Sequence, residues 1–581
     1  MSIAIPQTAA AHPTAHDALT RDLEALAAQK QAWATLPIAR KVALLADVKR
    51  ETAKVADRWV AAAVDAKGIP ADSPLAGEEW SSGPWALLYG LSQAMHTLRE
   101  IEQHGHPRIP RSAIRQASTG QVVVDVFPSS LYDRLLLSGV TGEVWMEPEV
   151  TPDNLPEHQA SFYRQKNPTG KVALVLGAGN IASIAPLDVL YKLVAEGQVC
   201  MLKMNPVNEY LGPLFEEAFA PLITAGFVRV VYGAGDVGAW LCEQPLVEEI
   251  HVTGSARTHD AIVFGPGPVG EARRKKDEPK NPRRVTSELG NVSPTIVVPG
   301  PWSAADLQFQ AEQIATMKMH NGGFNCIAAQ VLVLPSAWNQ SQPLVDAVKS
   351  TLRALPNRLA YYPGAAERQK TTVGYYPKAE VLDQAGVPRT IVPNVPCEGD
   401  EPCFREEAFG SVLAETRLPG AGARAFLEEA VTFCNDRLWG TLGANILIHP
   451  ATIKELGDAF EDAIAGLRYG CIAVNTWSGV GFLLAQTTWG AFPGHARTDI
   501  QSGSGVVHNS LLFDHPQKSV IRAPFYPFPR GVAHGQAAIL PKPPWFITNK
   551  TAAATARKLA YFEAAPSALK LPAIFVSALR G

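Results

Sequence analysis

Two rhythms of apolar residues divide the chain. Up to about residue 104 they fall near helical spacing: Leu23, Leu26, Trp33 and Leu36, then Val42, Leu44, Leu45 and Val48. Leu36-Pro37-Ile38-Ala39-Arg40 breaks this run into two helices, and Pro37 suits a first helical turn. A tryptophan-bearing helical stretch follows, from Gly77 to about His104, in which Trp80 and Trp85 read as packing residues. The rhythm then shortens. Gln121 to Phe127 is β-branched and apolar and predicts a strand, and Val140 to Pro152 predicts a second. Such a hairpin is either an arm for subunit pairing or an edge of the main sheet.

From Lys171 the pattern becomes strand, helix, strand. Short continuous apolar runs at 171–176, 199–203, 228–232 and 248–253 have the character of buried parallel strands, and helical stretches separate them. This alternation predicts an open, doubly wound α/β sheet. Ligands bind such sheets outside the carboxyl ends of the strands. Asn180, Lys203, Gly233 to Gly235 and Gly254-Ser255 lie there. A lysine past a strand can bond ribose hydroxyls, and a Gly-Ser opening a helix offers N–H groups to a phosphate. Gly177-Ala178-Gly179 supplies only the first half of a GxGxxG fingerprint. Gly265 to Arg284, rich in Gly, Pro, Lys and Arg, is expected as a solvated surface loop, with a phosphate-facing loop as the alternative.

Composition narrows the function. The chain has 581 residues, enough for two or three domains. It is 46% hydrophobic and 18% charged with net charge −3, so no basic excess invites nucleic acid. Seven cysteines are scattered without a CxxC pair, which indicates a reduced compartment and neither a disulfide framework nor a zinc knot. Met1 to His16 lacks the pattern of a signal peptide, and no apolar run is long enough to span a bilayer. A cytoplasmic protein without membrane or metal partners is expected.

One cysteine stands apart. Cys326 lies in His320-Asn321-Gly322-Gly323-Phe324-Asn325-Cys326, a polar loop whose glycines permit close backbone approach. A thiolate in such a loop can be a nucleophile, whereas a lone cysteine is more often a small buried hydrophobe.

The surrounding motifs decide between these. Asn321 to Cys326 resembles the N-x-G-Q-x-C motif of the aldehyde dehydrogenase superfamily. Glu288-Leu289-Gly290-Asn291 with Pro294 resembles its ELGG-x-x-P motif, and Glu406-Glu407-Ala408-Phe409-Gly410-Ser411-Val412 its EE-x-FGPV motif. Thr253-Gly254-Ser255, Val474-Asn475 and Ser502-Gly503-Ser504-Gly505 match further elements, in family order from about Asp22 to Ala523. Five positions depart: Phe324 replaces a glutamine, Asn291 a glycine, Ser411 a proline, Gly179 a tryptophan and Ile181 an aromatic residue.

The resemblance implies a Rossmann-like cofactor domain (1–120 and 165–289), an α/β catalytic domain (290–505), a small β oligomerisation arm (121–164 and 506–526) and a C-terminal extension (527–581). It implies Cys326 as nucleophile, Asn180 with the Cys326 N–H as oxyanion donors, and Glu288 as base. Lys203 would hold the adenosine ribose, Ser255 with Gly254 and Gly235 the phosphates, Glu407 the nicotinamide ribose, and Phe409 would pack beside the nicotinamide. Pro206 stands where NAD-preferring members often carry an acid, so NADP is open beside NAD, which the family's habit favours. The implied reaction is oxidation of an aldehyde to a carboxylic acid by a homodimer or homotetramer. An acylating, coenzyme A-linked enzyme is the alternative. Trp477, Phe482, Trp489 and Phe492 suggest a bulky apolar or aromatic aldehyde, although core packing accounts for them equally well.

Overall fold

The computed structural model describes residues 12–384 and 386–581. The expectation for Met1 to His16 falls largely outside this range. Two helices, His16–Ala34 and Ile38–Ala66, open the described chain, and Pro37 is the N-cap of the second. The tryptophan-bearing stretch is less regular than a single helix. Ala76–Trp80 runs through a wide turn at Ser81–Trp85, bent around Pro84, into Ala86–His104. Proline lacks the N–H that an uninterrupted α-helix needs at that position.

The α/β alternation builds a six-stranded sheet. Its strand order is Gly503–Ser504, Arg284–Leu289, Glu249–Gly254, Val172–Leu176, Val199–Lys203 and Val228–Val231. All neighbours are parallel except Gly503–Ser504, which runs against Arg284–Leu289. Val172–Leu176 and Val199–Lys203 are buried along almost their whole length, as their largely apolar composition requires. The helices Ile184–Val194 and Gly235–Glu243 cross back over this sheet and complete the doubly wound arrangement.

A second sheet has eleven strands. At its centre Ser293–Val297 pairs in parallel with Ala329–Pro335 and with Gly443–Leu447. The hairpin of Val122–Phe127 and Thr141–Met146 joins the same sheet through Pro516–Arg522, which lies antiparallel to Thr141–Met146 and parallel to Cys471–Val474. Within one chain, the expected arm is therefore a continuation of the catalytic sheet.

The basic segment departs from expectation. Gly267–Lys276 is a helix, not a loop, with Pro268 in its first turn and four cations in its last. Positive charge there suits the negative end of the helix dipole.

The C-terminal extension packs over the body. Helix Ala552–Ala564 crosses Ala76–Trp80 so closely that a side chain in place of Gly77 would overlap the backbone of Ala552. Tyr132 meets Phe562 edge-on at 5.0 Å, and Arg557 reaches Asp57 at 2.9 Å.

Candidate active site

A cavity of about 970 Å³ lies between the two sheets, over the carboxyl ends of the parallel strands. All nine residues singled out from the sequence line it: Asn180, Lys203, Gly235, Gly254, Ser255, Glu288, Cys326, Glu407 and Phe409. They come from both sheets and from loops more than two hundred residues apart.

Cys326 follows a short turn, His320–Gly323, in which Asn321, Gly322 and Gly323 have φ of 55°, 69° and 84°. Gly323 is required twice over. Its φ is left-handed, and a Cβ there would come within 2.5 Å of the Gly410 carbonyl oxygen. The turn thus brings the loop carrying Glu407 and Phe409 against the loop carrying Cys326.

The thiol of Cys326 and the carboxyl of Glu288 line the same cavity and each shifts the other's protonation. Burial pushes Glu288 up to about 7. The neighbouring Cys326 thiol and a 3.2 Å bond from the Trp489 indole N–H favour its carboxylate form against that rise. Burial also pushes the Cys326 thiol well above its ordinary value, and the neighbouring charge of Glu288 adds to it. Near pH 7 the thiol therefore keeps its proton, while Glu288 is divided between acid and carboxylate, and the carboxylate share can act as a base.

Asn180 donates one amide hydrogen to the Phe324 carbonyl at 3.0 Å, which leaves its second N–H for the cavity. Its backbone is clamped from behind. The Asn180 carbonyl accepts from Lys67 at 3.2 Å, Asn321 at 3.0 Å and the Tyr361 hydroxyl at 2.9 Å. Lys67 is itself buried against Glu79 at 2.7 Å. Arg358 pairs with Glu78, which accepts the backbone N–H of Asn321 at 3.1 Å. The N-terminal helical layer thereby fixes both the turn that carries Asn180 and the loop that carries Cys326, a support no motif signals.

Four of the five departures have local causes. Phe324 is buried among Tyr361, Tyr362 and Phe409, with ring centroids 5.1, 5.7 and 6.0 Å away. Asn291 donates to Ser293 at 2.9 Å and to the Gly443 carbonyl at 2.7 Å, tying the strand end to the second sheet. Ser411 bonds the Pro388 carbonyl at 3.0 Å. At Gly179 a Cβ would sit 2.6 Å from the Asn205 side-chain oxygen, so an indole has no room.

The other end of the cavity fits a dinucleotide. A Cβ at Gly235 would meet nothing within 4 Å, and the wall there is bare backbone. Ser255 caps the nine-residue helix Ala256–Phe264, accepting the Thr258 N–H at 3.2 Å. Lys203 is buried and its pKa is lowered by that burial, while Glu209 and Asp236 oppose the shift. Carboxylates thus reach this corner from elsewhere, although Pro206 offers none. Lys280 and Arg283 of the basic segment also line the cavity, which sequence reading had placed in solvent.

Glu407 is half-buried, and desolvation pushes its carboxyl well above the usual range. One of its oxygens has no partner. The other stands where a Gly290 side chain would be, 2.0 Å from the position of a Cβ. Lys318 faces it with an ammonium that also lacks a hydrogen-bond partner, lowered by burial to about 7. An unpartnered acceptor on a residue that lines the cavity is what a ribose hydroxyl would satisfy.

Comparison with known proteins points to one family and one fold. The sequence model of the Aldehyde dehydrogenase family matches residues 142–359, which carry seven of the nine residues. A coniferyl aldehyde dehydrogenase from a Pseudomonas species is 25% identical over 332 residues, covering 52% of this chain and 64% of that protein. The match thus spans less than two thirds of that relative. Among solved structures, lactaldehyde dehydrogenase from Escherichia coli superposes with TM-score 0.57 at 17% identity, covering 86% of this chain and 90% of the other. The NADP-dependent glyceraldehyde-3-phosphate dehydrogenase from Bacillus halodurans gives 0.58 at 18% identity, with 87% and 91% covered. At these identities the structures establish the shared fold.

Proposed function

Because the chain belongs to the aldehyde dehydrogenase superfamily, we propose that it oxidises an aldehyde to a carboxylic acid with NAD or NADP. The observation that carries this reading is that one cavity brings together Cys326, Glu288 and the second N–H of Asn180. Lys203, Ser255 and Glu407 would hold the cofactor, and a bound nicotinamide supplies the hydride acceptor.

Glu288 takes the thiol proton as the sulfur of Cys326 adds to the aldehyde carbon. The carbonyl oxygen becomes an anion, held by the Asn180 amide and the Cys326 N–H, which are fixed in place before reaction. The thiohemiacetal re-forms its C=O as the carbon gives up its hydrogen with two electrons, leaving an acyl thioester on Cys326. Glu288 then sheds its proton to solvent through the open cavity. As carboxylate it removes a proton from water, whose oxygen attacks the thioester. Acid leaves and the thiolate returns. A buried, Trp489-supported base beside the acyl sulfur favours hydrolysis over transfer to a coenzyme A thiol.

Aromatic residues near Cys326 support a bulky apolar or aromatic aldehyde. Phe482 packs edge-on to Trp489 at 5.5 Å, and the Trp477 indole bonds the Ile327 carbonyl at 3.2 Å. The relative that acts on coniferyl aldehyde supports the same class. The short outer strand Ile114–Gln116 leaves one edge of the large sheet open, and that edge is the proposed place for a second copy to pair.

The test is an aldehyde panel with NAD and with NADP, following reduced cofactor, with Cys326→Ala as control. Signal with at least one aldehyde, lost in Cys326→Ala, supports the reading. Reduction of an acyl-CoA without oxidation of any aldehyde overturns it.

A further inference from the structure

One face of the C-terminal extension is left uncovered. A helical turn, Ala568–Lys570, leads into the helix Leu571–Ala578. That helix is docked by one side only. Ile574 and Ser577 are buried, and the Ser577 hydroxyl and carbonyl bond the Thr555 and Thr551 hydroxyls, each at 2.8 Å. On the opposite side Leu569, Val576 and Leu579 stand 92%, 50% and 56% exposed, and exposed Pro572 lies between the first two. Spacings of three, four and three residues align these four on one helical stripe. Five of the ten large apolar side chains exposed among the described residues fall in 527–581, under a tenth of the chain. Single exposed apolar residues are ordinary, whereas a gathered stripe marks a contact surface.

Charge indicates what covers it. Residues 527–581 carry seven Lys and Arg against one acid, a net +6 in a chain of net −3, so the remainder carries −9. Three of these cations pair with the body: Arg530 with Asp306, Lys542 with Glu312 and Arg557 with Asp57. The one acid, Glu563, accepts from Ser92 at 2.6 Å. Among the described residues no carboxylate pairs with Lys550, Lys558, Lys570 or Arg580. Lys570 donates to the Tyr561 and Ala565 carbonyls, which leaves its charge unneutralised. Lys570 and Arg580 adjoin Leu569 and Leu579 in sequence. Lys550 reaches the same end of the helix, because Asn549 lies against Gly581 and Thr551 bonds Ser577.

An apolar stripe rimmed by unneutralised cations suits an anionic lipid surface, where apolar side chains enter the acyl boundary and Lys and Arg meet the headgroups. No helix among the described residues is long and apolar enough to cross a membrane, but a helix lying in the surface needs no such length. A second copy fits less well. A two-fold dimer would set this face against itself, so Lys550, Lys570 and Arg580 would meet their own copies. We propose that the face formed by Leu569, Val576 and Leu579 with Lys550, Lys570 and Arg580 docks the protein onto an anionic lipid surface. Docking of this kind departs from the expectation of no membrane partner, which rested on the lack of a spanning run.

The experiment sediments the full-length protein with vesicles of phosphatidylserine and phosphatidylcholine, and with vesicles of phosphatidylcholine alone. At about 0.1 M salt the protein should bind the mixed vesicles, and its Kd should rise at least tenfold at about 1 M salt, where the screening length is about 3 Å. Phosphatidylcholine alone should bind at least tenfold more weakly. Leu569→Glu with Leu579→Glu should abolish binding, and Lys550→Gln with Arg580→Gln should weaken it at least tenfold. Thermal unfolding checks that each pair is folded, and the second alters only exposed side chains, so the test stays open should the first not fold. No binding to mixed vesicles, equal binding to both kinds, or a folded pair within twofold of wild type overturns the docking face. A wild type that binds no vesicles and is dimeric by ultracentrifugation, but monomeric with Leu569→Glu and Leu579→Glu, would assign the face to a second copy instead.

Discussion

The indole N–H of Trp489 points at the carboxylate of Glu288 from 3.2 Å, inside a pocket where burial alone would keep that carboxylate protonated. It is the one neutral donor besides the Cys326 thiol that counters the desolvation. Replacing it with phenylalanine keeps the ring and removes the donor. Trp489→Phe should therefore shift the rising limb of the pH–rate profile, expected near 7, to higher pH. At pH 7 the rate should fall several-fold and recover at pH 9. An unmoved limb would separate Trp489 from the base.

Glu288→Gln keeps the shape of the side chain without its basicity. One equivalent of reduced cofactor should appear as a burst, followed by a stall with thioester on Cys326. An undiminished steady-state rate would remove Glu288 from the base role.

The same variant makes a stability prediction. Glu288 is raised from 4.5 to about 7 in the fold, so its protonated form is preferred there. That preference is fully present below the unfolded pKa and is lost as pH rises through about 7. The wild type thus carries a buried charge at pH 8 that Glu288→Gln lacks. Thermal unfolding should show the variant gaining on the wild type at pH 8 and the difference closing at pH 5.

Gly290→Ala places a methyl group where a Glu407 oxygen now stands. Because that oxygen ends a side chain that can swing, the stability cost should stay within about 1 kcal/mol. Cofactor KM should rise roughly tenfold, the equivalent of about 1.4 kcal/mol. A normal cofactor KM would mean that Glu407 does not contact the ribose.

Lys67→Met removes one half of the buried pair with Glu79 and a donor to Asn180. Breaking a buried pair leaves an unpaired charge and typically costs about 3–5 kcal/mol. Urea unfolding should register a loss of that size. Activity should fall further than stability alone explains, because the oxyanion donor loses its anchor.

The candidate residues that share the cavity were legible because they sit in short local motifs. Cys326, Glu288, Asn180 and Glu407 each announce themselves through neighbours in sequence, and the doubly wound pattern brings them together. What supports them was not legible. Lys67, Glu79, Lys318 and Trp489 act through contacts with residues far along the chain, and nothing local distinguishes a buried lysine from a solvated one. The helix Gly267–Lys276 was missed for another reason. Its glycine and charge content suggested a loop, although an early proline and terminal cations are helix-end signals.

The strand Pro516–Arg522 lies between Thr141–Met146 and Cys471–Val474. Residues made early in synthesis can therefore join the large sheet only after a strand made some 370 residues later has left the ribosome. The five parallel strands from Val172 to Leu289 need no such wait. During synthesis the nucleotide half can assemble first, while the Val122–Met146 hairpin has no permanent neighbour. A premature stop anywhere before residue 516 would strand that hairpin with an uncovered apolar edge, a substrate for chaperones or for aggregation.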